Sequence, residues 1–194
     1  MITRSRSGDV AVVVLGLVLS GCLSLRGMRE VPAERVNVKP PADQAAVVFL
    51  RTANVGTTTS LYEVRPPQDT FIGLLVNDTR LVYFTAPGRM RFMVVGLSAN
   101  FLDAELEAGK TYQVVVAPGP DAQQHFRLEP VRPGVQPSKA VQNCLESCRW
   151  VENTDESQAW YRQHANSVQR KKAQYLPLWE RRQDRPVLTA SDGR

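Results

Sequence analysis

A hydrolytic site needs a tuned nucleophile or a pair of acids, so serine in a glycine-flanked turn, histidine and closely spaced carboxylates are weighed first. Gly96-Leu97-Ser98-Ala99-Asn100 comes within one residue of the Gly-x-Ser-x-Gly elbow. Asn100 stands where the second glycine would let a strand turn sharply into a helix, and no helical pattern follows. Ser98 therefore reads as a loop serine. The two histidines, His125 and His164, fall in separate segments, without the i, i+4 spacing by which one helix presents two ligands to a metal. Asp103 and Glu105 alternate with Leu102, Ala104 and Leu106, so they share one strand face and could act as paired acid and base on a glycoside. Alternating acids on an exposed strand are otherwise a solvated face. Phosphate-loop, dinucleotide and zinc-protease motifs do not occur. No catalytic residue, cofactor or metal is expected, and the chain reads as non-catalytic.

The three cysteines divide by position. Arg4 and Arg6 precede an apolar run, Val10 to Leu19, broken only by Gly16. Ten or so residues cannot cross a hydrocarbon core, which needs about 20. A basic segment, a short apolar segment and small residues before a cut site form a secretory signal instead. Leu19-Ser20-Gly21-Cys22 resembles the lipobox of bacterial lipoproteins. The resemblance implies cleavage between Gly21 and Cys22, with a diacylglycerol on the Cys22 sulfur and an acyl chain, such as palmitate, on its new amino end. Each buried methylene contributes about 0.8 kcal/mol, so several chains together make a lasting anchor. Leu23 is not the Asp that retains lipoproteins in the inner membrane of enteric bacteria, which implies an outer-membrane location facing the periplasm.

Cys144 and Cys148 remain. Export places them in an oxidising compartment, where two left-over thiols pair. Residues four apart on a regular helix hold their Cβ atoms about 5 to 6 Å apart, beyond the roughly 3.5 to 4.5 Å of a disulfide. The expected bond therefore requires "CLESC" to be distorted or non-helical; the alternative is two thiols packed as small apolar groups.

The chain carries 24 basic and 19 acidic residues. Without Arg4, Arg6 and Asp9 the mature part has 22 and 18, a formal charge of +4. That is not the dense basic stripe of a nucleic-acid surface, and no nucleic-acid partner is expected. Arg170-Lys171-Lys172 and Arg181-Arg182 flank Tyr175 and Trp179, and a basic aromatic helix can lie on anionic lipid. The alternative packs the aromatic residues inward and leaves the cations in water.

The elements that position these residues follow from periodicity. Residues 1–21 are the signal. Residues 22–44, with Pro32, Pro40 and Pro41 and no apolar period, read as an acylated tether, extended or disordered, spanning roughly 25 Å as a flexible coil. Between 45 and 132 the period is two, which marks strands with one buried face. Strands are expected over 45–51, 58–64, 70–76, 80–85, 89–95, 102–106, 111–117 and 125–131. Asn77-Asp78, Pro87-Gly88 and Ala108-Gly109-Lys110 supply turns. Seven to eight short strands at near-regular spacing predict an all-β, antiparallel β-sandwich. A C-terminal helical appendage covers 138–185. Ser138 caps a helix to about Val151, and a second starts at Asn153 or Thr154 and carries Trp160, His164, Val168 and Tyr175 to Pro177. Residues 186–194 are a tail.

"AAVVFLR", "FIGLLVNDTRLVYFTAPGRMRFMV" and "LEAGKTYQVVV" resemble, in order and spacing, a bacterial lipoprotein family of unknown function with an Ig-like or transthyretin-like β-sandwich domain. Arg51, Gly73, Pro87, Gly88, Gly109 and Tyr112 fall on its pattern. Met90 and Gln113 depart from it, where the family often has His and a second aromatic residue. The resemblance implies a β-sandwich on a lipid anchor and lends no activity. The expected function is an envelope-tethered binding or assembly module with a protein partner in the envelope. An envelope hydrolase, or lipid and partner binding through the basic C-terminal helix, is the alternative.

Overall fold

The computed structural model describes residues 25–52, 58–119 and 126–194. Among them the chain is mostly β, with two sheets of six and five strands and two α-helices. The first sheet contains β1 (Met28–Val31), β2 (Ala45–Arg51), β5 (Thr79–Thr85), β8 (Thr111–Pro118), β9 (Phe126–Pro130) and β10 (Arg149–Asn153), in the order β1-β10-β5-β2-β8-β9. The second contains β3 (Thr59–Glu63), β4 (Thr70–Leu75), β6 (Gly88–Val95), β7 (Ala99–Leu106) and β11 (Val187–Leu188), in the order β11-β7-β6-β3-β4. Helix α1 is Lys139–Ser147 and α2 is Asp155–Glu180.

Alternation decides which side chains meet. In β2, Ala45, Val47 and Phe49 enter the main core, and Leu50 joins a smaller cluster with Val115, Cys144 and Cys148 beneath α1. Phe49 meets Phe92 of β6 edge to face at 5.2 Å, so residues of both sheets share one core. The opposite side of β6 and β7 takes α2. Phe101 lies 5.7 Å from Trp179, and the Tyr161 ring stacks on Phe71 at 5.1 Å. Phe126 and Leu128 are buried with Arg127 exposed between them, a period-two face.

The expected antiparallel arrangement needs correction. β2–β8, β10–β5 and β11–β7 pair parallel, and the sheets are mixed. The turns explain much of this. Asn77-Asp78, Pro87 with Gly88, and Ala108-Gly109-Lys110 do not close hairpins; each carries the chain from one sheet to the other. β2 and β8 meet after the intervening strands have visited the second sheet, so no hairpin forces them to run oppositely. Gly88 (φ 116°) and Gly109 (φ 76°) hold left-handed backbone in open space, so glycine is required there by conformation and not by crowding.

The ends differ from expectation too. The Ser138 hydroxyl accepts the Val141 N–H, but α1 stops at Ser147 instead of continuing to Val151. The next residues leave as β10, which pairs with β1 and β5 and buries Trp150 and Val151. β1 lies within the stretch expected to be tether. Helix α2 begins at a Thr154–Ser157 capping box and runs through Pro177. The tail is tied down: β11 pairs with β7, and Arg194 and Thr111 exchange two backbone hydrogen bonds at 3.0 Å.

Candidate functional site

A cavity of about 490 Å³ lies against β1, β10 and β5 of the first sheet and β4 of the second. Met28, Phe71, Ile72, Leu81, Trp150 and Val151 form its apolar part; Arg35, Asn37 and Glu152 bring polar groups. Its size is that of a small-molecule pocket. It exists because β10 leaves α1 and pairs with β1, so two short segments far apart in sequence make one wall. Trp150 is held by the Arg80 guanidinium, 4.2 Å above its ring, and Arg80 also donates to the Leu145 carbonyl.

Two buried carboxylates stand at the two ends of the β3–β4 connection, Glu63 facing β5 and Asp69 facing α2. Glu63 accepts from Tyr83 Oη at 2.7 Å, Thr85 Oγ1 at 3.0 Å and Arg65 Nε at 2.6 Å. Burial, and then the neighbouring Glu63 carboxylate, push the Tyr83 phenol well above its ordinary pKa, so it stays a hydrogen-bond donor. Asp69 accepts from Lys172 Nζ at 2.7 and 2.9 Å, Gln169 Nε2 at 3.0 Å and the Arg65 N–H at 3.1 Å. These contacts join α2 to the sheets. The sequence signal for Glu63 was an acid at an inward position of a period-two segment; nothing in the sequence paired Asp69 with α2, whose Gln169 and Lys172 are 100 and 103 residues away.

The residues weighed for chemistry are dispersed. Ser98 is buried in the β6–β7 turn, where its carbonyl accepts the Gly96 N–H at 2.9 Å. Asp103 accepts from Arg91 Nε at 2.7 Å, and Glu105 lies 3.9 Å from Arg89, each pair directly across the β6–β7 ladder. Arg91 also bonds Glu180 at 2.7 Å and lies over the Trp179 ring. His164 Nδ1 is 2.7 Å from the Trp160 carbonyl, and the two rings stack at 4.0 Å. His125 and Cys22, with the cleavage position at Gly21, lie outside the described residues. Cys144 and Cys148 are joined by a disulfide with Cα atoms 4.5 Å apart. Cys148 is the C-cap of α1 with extended backbone (ψ 141°), so the bond spans the point where the helix ends.

The basic cluster of α2 turns partly inward. Lys171 donates to the Gly96 carbonyl, and burial lowers its pKa; Lys172 is taken by Asp69. Arg170 is exposed. Among the described residues no helix is long and apolar enough to cross a membrane, and no three His, Cys, Asp or Glu side chains are grouped to hold a metal ion. Comparison with protein-family models finds no match, and no curated protein matches the chain significantly.

Proposed function

We propose that this chain is an exported lipoprotein, cut before Cys22, acylated there and held in the cell envelope on the periplasmic side of the outer membrane. Its two sheets pack face to face as a β-sandwich that works as a non-catalytic binding or assembly module for an envelope partner. The observation that carries the reading is Leu19-Ser20-Gly21-Cys22 directly after a basic and then apolar segment. The dispersal of Ser98, Asp103, Glu105 and His164 into local pairs supports binding over hydrolysis, because catalysis needs such groups to converge on one reacting atom. The cavity beside β1, apolar on one part and polar at Arg35, Asn37 and Glu152, is the place for a small ligand.

The test is mass spectrometry of the protein recovered from membranes. A chain starting at Cys22 with the mass of a diacylglyceryl group and an amide-linked acyl chain is expected, and Cys22→Ala should leave the precursor uncut. Recovery of the wild-type chain with residues 1–21 still present and no lipid refutes the reading.

A further inference from the structure

The distance between Cys22 and the folded domain is set by where the fold begins. Leu25 already packs against the main core, and its carbonyl accepts the Met28 N–H at 3.1 Å. The Gly27 carbonyl accepts the Thr154 hydroxyl at the start of α2. Gly27 is held so close that a Cβ there would lie 3.0 Å from both Glu156 Cγ and the Ser157 nitrogen. Met28 is 6 % exposed, and its Sδ accepts the Leu74 N–H at 3.4 Å. Only Leu23 and Ser24 separate Cys22 from this fixed point. Fully extended, the three Cα steps from Cys22 to Leu25 span at most about 11 Å. A tether running to residue 44 would have given roughly 25 Å.

We propose that the surface around this fixed point, the first turn of α2 and the outer edge of β1, rests against the bilayer that holds Cys22. The inference rests on acylation of Cys22 and adds what that reading lacks, the face turned to the lipid. A reach of about 11 Å is shorter than the domain is wide, so the surface nearest Leu25 stays close to the headgroup layer while the anchor holds. The patch carries Arg29 against Glu152 at 2.8 Å and Arg149 against Glu30 at 3.6 Å, with Asp155 and Glu156 exposed beside them. With Arg26 also exposed at the fixed point the patch holds three cations and four anions, so the tether and not electrostatic attraction holds it in place. β1 is an edge strand of the first sheet, and a bilayer against it shields that edge from pairing with a second chain.

The test uses the acylated protein in phosphatidylcholine and phosphatidylglycerol vesicles containing a headgroup-linked quencher. A fluorophore is placed through Asp155→Cys, and in a second protein through Glu30→Cys; both positions are exposed. Each is compared with a version carrying a 20-residue Gly-Ser insert between Leu23 and Ser24, which adds roughly 25 Å of reach. Strong quenching at both positions is expected, falling several-fold with the insert and unchanged by salt, while all proteins still float with the vesicles. Weak quenching without the insert, or quenching the insert does not change, in protein that floats and carries the lipid mass, overturns the orientation and leaves the acylation standing. A chain that neither floats nor carries lipid overturns both.

Discussion

Replacing Lys172 by Met removes the ammonium from a carboxylate whose side chain is 2 % exposed, while Lys172 itself is 21 % exposed. Breaking a buried pair from one side costs about 3 to 5 kcal/mol, because the remaining charge has no counter-charge and little water. Asp69 keeps the Gln169 amide at 3.0 Å and the Arg65 N–H at 3.1 Å. Those donors hold the expected loss for Lys172→Met to the lower end, about 3 kcal/mol. Asp69→Asn is milder, about 1.5 kcal/mol, since the lysine can turn its head to water. The double variant buries no charge and should lose about 2 kcal/mol, roughly 2.5 kcal/mol less than the sum of the single losses. Urea denaturation of all four proteins, read by circular dichroism, measures this, with the slope unchanged because α2 stays docked. Single losses that add to within about 0.5 kcal/mol would refute the reasoning, since they would mean that water reaches Asp69 in the folded protein.

Two further outcomes are expected. Reducing the Cys144–Cys148 bond releases a five-residue loop, for which chain entropy gives a loss of about 2 kcal/mol and a fall in Tm of about 4 to 8 °C by calorimetry; no change with the bond verified as open would count against a stabilising role. Gly193→Val drives a side chain toward Tyr112 Cζ, 2.7 Å from the glycine's Cβ position, and Lys110 Cδ, 2.8 Å away. The tail should lift, and hydrogen exchange at the Thr111 amide, now bonded to the Arg194 carbonyl, should accelerate about tenfold or more; an unchanged rate would show that the tail does not protect it.

What the sequence determined by itself is whatever rests on neighbours along the chain. Period-two alternation placed Phe126 and Leu128 on a buried face, Ser138 and Asn153-Thr154 marked helix starts, and the proposed signal from Arg4 to Cys22 is read without any fold. The tertiary structure decided which turns stay within a sheet and which cross between sheets, because Pro87-Gly88 and Ala108-Gly109 offer the same backbone freedom to either path. It also decided the fate of Arg149–Asn153. Local propensity continued the helix, but pairing with β5 and with β1 satisfies the backbone and buries Trp150 and Val151, which a longer α1 could not do. β1 is strand only because β10 is there to pair with it, and the short reach from Cys22 follows from that distant partner. Asp69 and Lys172 show the same limit: a buried ion pair spanning 103 residues leaves no local pattern, since the two charges meet only when α2 docks and each would be costly to bury without the other.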